Sequence, residues 1–320
     1  MKLFDLHCDT IYECCETGKH LRENDLHINY AAARRYQPYV QFFALFCGAR
    51  QPYSPETRDC LLDTLADERF DRMLTTARRE FAANADWLTF CRSAADIRAA
   101  VEAGKAAALL SIEGAELLPD RPDALDYVYD AGVRLITLTW NYRSRYGCSS
   151  AVDQNEGLTE LGKQLVRNCG EKGILVDVSH LSDRGFRDVC EATDRPFVAT
   201  HSDSRVLCRN SRNLTDEQFA EIANRRGLVG VNLYTPFLVR QSDSVIDDAI
   251  DHIERFLGMY GEKVVALGCD FDGCDTLPIG IDGLADMYRL ADRMLTLGYK
   301  QETVDGLFYD NAFNFMQKML

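Results

Sequence analysis

The sequence of 320 residues has no uninterrupted apolar run approaching the roughly 20 residues that a bilayer-spanning helix requires; its longest apolar stretches, 40–47 and 106–112, fall far short. After Lys2 the chain reaches Asp5, His7 and Asp9 at once, which leaves no room for the apolar region of a secretion signal. Residues 312–320 are amphipathic rather than a continuous hydrophobic anchor signal. These absences lead to the expectation of a soluble, cytoplasmic protein with no membrane partner. Positive charge is also in short supply. Lysine and arginine total 36 against 50 for aspartate and glutamate, giving a formal charge of −14 and a pI near 4.9. Such a surface repels phosphate backbones, so no nucleic-acid partner is expected. Twelve cysteines are present, but no Cys-x-x-Cys pair and no export signal accompany them, so they read as reduced thiols, with Cys47, Cys169 and Cys190 in apolar runs. No linker rich in proline, glycine or serine, no low-complexity tract and no repeat interrupts the chain, so residues 1–320 read as a single domain.

What the sequence does have is alternation. Eight β-branched or apolar runs, at residues 3–9, 40–47, 107–113, 134–140, 173–180, 196–201, 227–234 and 264–270, are each followed by a stretch of helical periodicity. Ser54-Pro55 opens a long helix through about Cys91, Thr215 to Gln218 forms a capping box, and Gly132, Gly173 and Gly298 stand where helices end. Eight units in this length predict an α/β fold, a (β/α)₈ TIM-like barrel. An open doubly wound sheet is the alternative, disfavoured because no glycine-rich dinucleotide loop follows the first run.

Ionisable residues collect at the ends of those runs: His7 and Asp9, Glu113, His180, His201 and Asp270. In a barrel these ends converge on one rim, where active sites of this fold lie. His7 and Asp9 are two apart, so on a strand both leave one face while Cys8 points away; the same parity puts Asp5 beneath His7, where a carboxylate can hold an imidazole by its second nitrogen. Three imidazoles and two carboxylates without a thiolate suit zinc ahead of iron or manganese. A carboxylate such as Glu113 can bridge two ions, dividing the set into His7, Asp9, Glu113 and Glu113, His180, His201. Two metals about 3.5 Å apart would hold a nucleophilic hydroxide. Asp270, in the segment 268–273, is the expected general base or proton shuttle; Asp272 lies farther out on the same face with its role open. His20, His27 and His252 fall in loops or helices and read as structural.

These motifs resemble the membrane (renal) dipeptidases, zinc dipeptidases of the amidohydrolase-like barrels. Phe4-Asp5-Leu6-His7-Cys8-Asp9 resembles the family's Asp-x-His-x-Asp opening, and Ser111-Ile112-Glu113-Gly114 its bridging glutamate motif. Asp177-Val178-Ser179-His180 and Thr200-His201-Ser202 resemble its later histidines, and residues 268–273 its terminal aspartate motif. Ser211-Arg212-Asn213 resembles its substrate-carboxylate arginine, with Arg205 and Arg209 as nearby competitors, and Asp310-Asn311-Ala312-Phe313 its C-terminal segment. The resemblance implies a binuclear centre of two zinc ions bridged by Glu113. It further implies hydrolysis of dipeptides by a metal-bridging hydroxide with tolerance for a C-terminal D-residue, catalytic roles for Glu113 and Asp270, and a homodimer. A soluble, bacterial-type relative fits the missing export and anchor signals.

One departure stands out. After the fourth run the animal members place a histidine that steadies the oxyanion, whereas this chain reads Leu138-Thr139-Trp140-Asn141. Trp140 and Asn141 are therefore expected on the substrate, as hydrogen-bond donors without positive charge. The competing readings are another hydrolase of this barrel class, acting on a different amide or ester, and an inactive binding protein. Many of the former use a carboxylated lysine after the fourth strand, which is missing here, and the full set of ligand candidates argues against the latter. No lysine ends any of the eight runs, which sets aside Schiff-base chemistry.

Overall fold

The computed structural model describes residues 1–48 and 66–320. Among the described residues nine parallel strands form: β1 (Leu3–Asp5), β2 (Tyr39–Phe46), β3 (Leu88–Phe90), β4 (Ala106–Glu113), β5 (Val133–Thr137), β6 (Leu175–Asp177), β7 (Val198–Ala199), β8 (Leu228–Val231) and β9 (Val265–Leu267). β1 lies between β2 and β9, and β2 also pairs with β4 from Val40↔Ala107 to Phe46↔Glu113. The strands other than β3 thus close into a ring of eight with helices around it, the (β/α)₈ barrel expected from the alternation.

β3 is an addition the periodicity did not reveal. It pairs with β4 at Leu88↔Ala106 to Phe90↔Ala108, along the edge that β5 occupies from Leu110 onward. It replaces the end of the helix expected to reach Cys91. That helix runs Ala66–Ala83, and the expected stretch 54–65 lies outside the described residues. At Asn84 the side-chain amide donates to the Glu80 carbonyl (2.8 Å) and accepts the Trp87 indole N–H (2.8 Å), so local bonds displace the helical ladder and the chain turns into β3. The glycine stops are present where expected: Gly132 and Gly173 cap their helices in the left-handed region at φ 109° and 80°. Thr215 and Gln218 form their capping box.

Strand alternation sorts the core into two layers. Phe4, Phe42, Leu109, Leu135, Leu175, Val198, Leu228 and Ala266, from all eight barrel strands, share one apolar cluster and therefore line the interior. The helix Asn311–Met319 adds Ala312, Phe315 and Met316 to it, closing the end where the strands begin. Above this floor the strands crowd: a Cβ on Gly230 would meet the Thr200 carbonyl oxygen at 2.0 Å, and one on Gly268 at 1.7 Å. Only glycine fits where β7, β8 and β9 approach so closely. The opposite mouth is left for polar side chains. The eleven cysteines among the described residues are free thiols, and no described helix is long and apolar enough to cross a membrane.

Candidate metal centre

Of the ionisable residues read at the run ends, only Glu113 lies within a strand. The hydrogen-bonded ladder ends at Asp5, Asp177, Ala199 and Leu267, and His7, Asp9, His180, His201 and Asp270 follow where the chain bends over the rim. His180 (φ 67°) and Asp270 (φ 61°) adopt left-handed backbone, so strand parity does not describe where they point. Asp9 immediately precedes the helix Thr10–Thr17 with φ −104° and ψ 15°. Its convergence with His7 therefore comes from the turn rather than from strand alternation, while Cys8 is buried in the outer apolar cluster, as expected.

The expectation for Asp5 is corrected on the same ground. Within β1 it shares the side of Leu3, which packs in the outer layer, while Phe4 faces the interior. Its Oδ1 accepts the backbone N–H of Cys269 (2.9 Å) and of His7 (3.4 Å), tying the exits of β1 and β9 together. The imidazole of His7 is not among its partners. Burial pushes Asp5 up to about 6.

The expected ligand residues do meet. His180 Nε2 lies 3.0 Å from Glu113 Oε1, and His201 Nε2 lies 3.6 Å from the same oxygen. Glu113 Oε2 turns toward His7 Nε2 at 3.6 Å, which also has Asp9 Oδ2 at 3.4 Å and Asp270 Oδ1 at 3.7 Å. One carboxylate thus presents one oxygen to each of two groups of donors. His7, Glu113 and His201 offer atoms within 4.8 Å of one another, as do His7, Asp9 and Asp270, all buried.

Hydrogen bonds behind the two later histidines fix which nitrogen faces the centre. Asn141 Oδ1 can only accept, so His180 Nδ1 donates to it (2.8 Å). The Thr200 hydroxyl donates to Asp177 Oδ2 (2.6 Å) and so accepts from His201 Nδ1 (2.7 Å). Both Nε2 atoms are then bare lone pairs, 2.9 Å apart and beside a carboxylate oxygen. Burial, with the positive charges of Arg212 and His7, holds both histidines well below the usual range and hence neutral. For His7 burial works against charge, but the carboxylates of Glu113 and Asp9 outweigh it and raise its affinity for a proton. Burial and the neighbouring Asp9 push Glu113 up to about 8. Lone pairs and crowded carboxylates of this kind fit divalent cations, whose charge would compensate both. Gly273 completes the cradle: a Cβ there would stand 2.3 Å from both Asp270 Oδ1 and Asp9 Oδ2.

Above the centre opens a cavity of about 400 Å³, with Asp9, Glu113, His180 and Asp270 among its lining. Phe46, Trp140, Tyr234 and Phe237 supply aromatic wall. The Trp140 ring packs edge-on against Phe46 with centroids 4.7 Å apart, and lies 6.3 Å from the His180 ring. Asn141, expected on the substrate, also lines this cavity; its side-chain oxygen is taken by His180, which leaves the NH₂ end of the amide as the donor.

Arg212 is 7% exposed, and its guanidinium lies over the Phe237 ring at 5.2 Å. Nη2 donates to the His201 carbonyl (3.3 Å), while Nε and Nη1 have no hydrogen-bond partner among the described residues. Its competitors are otherwise engaged: Arg205 makes a two-point ion pair with Asp183 (2.8 and 2.9 Å), and Arg209 is exposed. Asp272 belongs to the frame, its carboxylate accepting the Thr10 hydroxyl (2.5 Å) and the His27 backbone N–H (2.7 Å). Sequence reasoning passed over Asp203, fully buried beside Arg212, and the anchoring role of Asp177, which accepts from Thr137, Ser179 and Thr200. Asp177 stands inside the quoted His180 motif and Asp203 directly after the His201 motif, so proximity to a candidate ligand was the available signal.

The sequence model of the family described as membrane dipeptidase (peptidase family M19) matches residues 1–319. An uncharacterized dipeptidase of Schizosaccharomyces pombe is 30% identical over 310 residues, spanning 92% of this chain and 73% of that protein. Among solved structures, a metallo peptidase from Rhodobacter sphaeroides, liganded with a phosphinate mimic of the dipeptide L-Ala-D-Ala, is 26% identical. It superposes with a TM-score of 0.90 over 100% of this chain and 99% of its own. The dipeptidase AC, also a metallo peptidase, is 27% identical with a TM-score of 0.91, over 100% of this chain and 98% of its own.

Proposed function

This chain belongs to the membrane dipeptidase family, a family of metallo-dipeptidases, and we propose that it holds two zinc ions and hydrolyses dipeptides, including those with a C-terminal D-residue. The observation that carries the reading is the divided carboxylate of Glu113, with Oε1 toward His180 and His201 and Oε2 toward His7, beside which Asp9 Oδ2 also stands. His7, Asp9 and Glu113 would hold one ion, and Glu113, His180 and His201 the other. Bound there, zinc would supply Lewis acidity toward the peptide carbonyl and a water activated at neutral pH.

The remaining work falls to the protein. Arg212, with Nε and Nη1 buried and unengaged, offers charged N–H donors to the substrate's α-carboxylate, the group that marks a C-terminal residue. This clamp limits the substrate to two residues. The phosphinate dipeptide mimic bound by the Rhodobacter sphaeroides protein supports acceptance of a D-residue beside that clamp. Asp270, with Oδ1 toward His7, takes the proton of the attacking water and returns it to the leaving amine. Trp140 lines the cavity where the animal members carry a histidine, so the carbonyl oxygen meets an uncharged donor there. A homodimer and a cytoplasmic location belong to the same reading and are checked by light scattering and cell fractionation.

The decisive experiment is elemental analysis combined with hydrolysis of L-Ala-D-Ala and L-Ala-L-Ala by the wild type and Glu113→Gln. Two zinc ions per chain, turnover of both dipeptides and loss of turnover in the variant are expected. A metal-free active enzyme, or full turnover in the variant, overturns the reading.

A further inference from the structure

β8 contributes none of the ionisable residues read from the sequence, yet its interior face leads straight to the centre. Leu228 lines the barrel floor, Gly230 lies against the Thr200 carbonyl, and two residues on comes Asn232, fully buried at the mouth. Three hydrogen bonds determine how that side chain is set. The Asn232 backbone N–H donates to Asp203 Oδ1 (3.1 Å), and its side-chain oxygen accepts the Tyr234 N–H (2.6 Å). With the oxygen so placed, the other end of the amide must be the NH₂ group, and it donates to Asp270 Oδ2 (3.0 Å).

We propose that Asn232 is a positioning residue for Asp270, holding Oδ2 so that Oδ1 alone is presented to the reacting atoms. The proposal rests on the reading of Asp270 as the proton carrier. A carboxylate in that role must give and take the proton at the atom facing the substrate. The two oxygens of a carboxylate are chemically equivalent and interchange by rotation about the Cβ–Cγ bond unless a partner distinguishes them. The amide of Asn232 breaks that equivalence. The lone pairs of Oδ2 are committed to a donor, and Oδ1 is left 3.7 Å from His7 Nε2 beneath Gly273. In the reaction one water proton moves to Oδ1 as the water oxygen bonds to the carbonyl carbon. The C–N bond then breaks with its electron pair passing to nitrogen, which takes the proton from Oδ1. Asp203 extends the chain of support, since its Oδ1 fixes the Asn232 backbone from the loop that follows His201.

The test separates this role from that of a strand-end cap. Asn232→Asp keeps the shape and the acceptor for the Tyr234 N–H but removes the donor; Asn232→Ala removes both and serves as a second variant. For Asn232→Asp, kcat is expected to fall roughly 10- to 100-fold, the size of one lost hydrogen bond to a charged group, with KM within about 2-fold. Zinc content should equal that of the wild type, and on an Asp270→Asn background either substitution should change kcat by less than about 2-fold. Wild-type kcat in both Asn232 variants overturns the proposal, as does the same fold-loss on the Asp270→Asn background or loss of zinc in both variants. Wild-type kcat in Asp270→Asn itself instead overturns the proton-carrier reading beneath it.

Discussion

Gly273→Ala is the smallest change that should disable the centre while leaving the fold in place. The added methyl would lie 2.3 Å from Asp270 Oδ1 and 2.3 Å from Asp9 Oδ2, so each oxygen must retreat by about 1 Å to reach ordinary contact distance. Carboxylate ends usually yield cheaply, but these two are restrained. Asn232 holds the other oxygen of Asp270 at 3.0 Å, and Asp9 is 3% exposed at the start of its helix. A misplacement of about 1 Å at reacting groups costs on the order of 100-fold in rate, whereas overpacking of this size costs about 1–3 kcal/mol of stability. Gly273 has no left-handed φ, so steric contact is the whole of the expected effect. The assay pairs kcat and zinc content with urea denaturation: activity should fall about 100-fold while the protein still unfolds cooperatively. Wild-type kcat with wild-type zinc would refute the placement of Asp9 and Asp270 at the centre.

Arg212→Met removes the two unengaged N–H groups, and kcat/KM for a dipeptide should fall about 100-fold or more, while a dipeptide amide lacking the carboxylate loses little. Equal losses on both substrates would remove Arg212 from the clamp. His252 is buried between the Ser204 N–H, which donates to Nδ1 (2.9 Å), and the Leu238 carbonyl, which accepts from Nε2 (3.1 Å). Burial holds it below the usual histidine range, so below about pH 6.5 the unfolded chain takes up a proton that the folded chain refuses, and stability falls as pH drops. His252→Gln should lose less stability than the wild type between about pH 6.5 and 5 by urea denaturation; identical losses would refute the assignment.

Much of the barrel was legible because each strand run is short, apolar and bounded by helical periodicity. The ligand candidates were legible because a histidine or carboxylate ending such a run is conspicuous. β3 was not, since Leu88–Phe90 follows a strongly helical stretch and is drawn into the sheet by the free edge of β4 below β5. Asp5 was misjudged because alternation was extended from β1 across a bend. Asn141 was legible as a cavity residue from its place beside Trp140, but not that its oxygen lies 2.8 Å from His180 Nδ1.

The sequence alone determined the order of the eight barrel strands and the residue types available at the rim, because periodicity and side-chain chemistry are local properties. Tertiary structure decided which atoms of those residues face one another. Glu113 Oε1 meets His180, Asn141 turns its oxygen to the same ring, and Asn232 reaches Asp270 across 38 positions only after β8 and β9 lie side by side. Such pairings depend on barrel closure and on backbone bends of a few residues past each strand, and neither leaves a periodic trace in the chain.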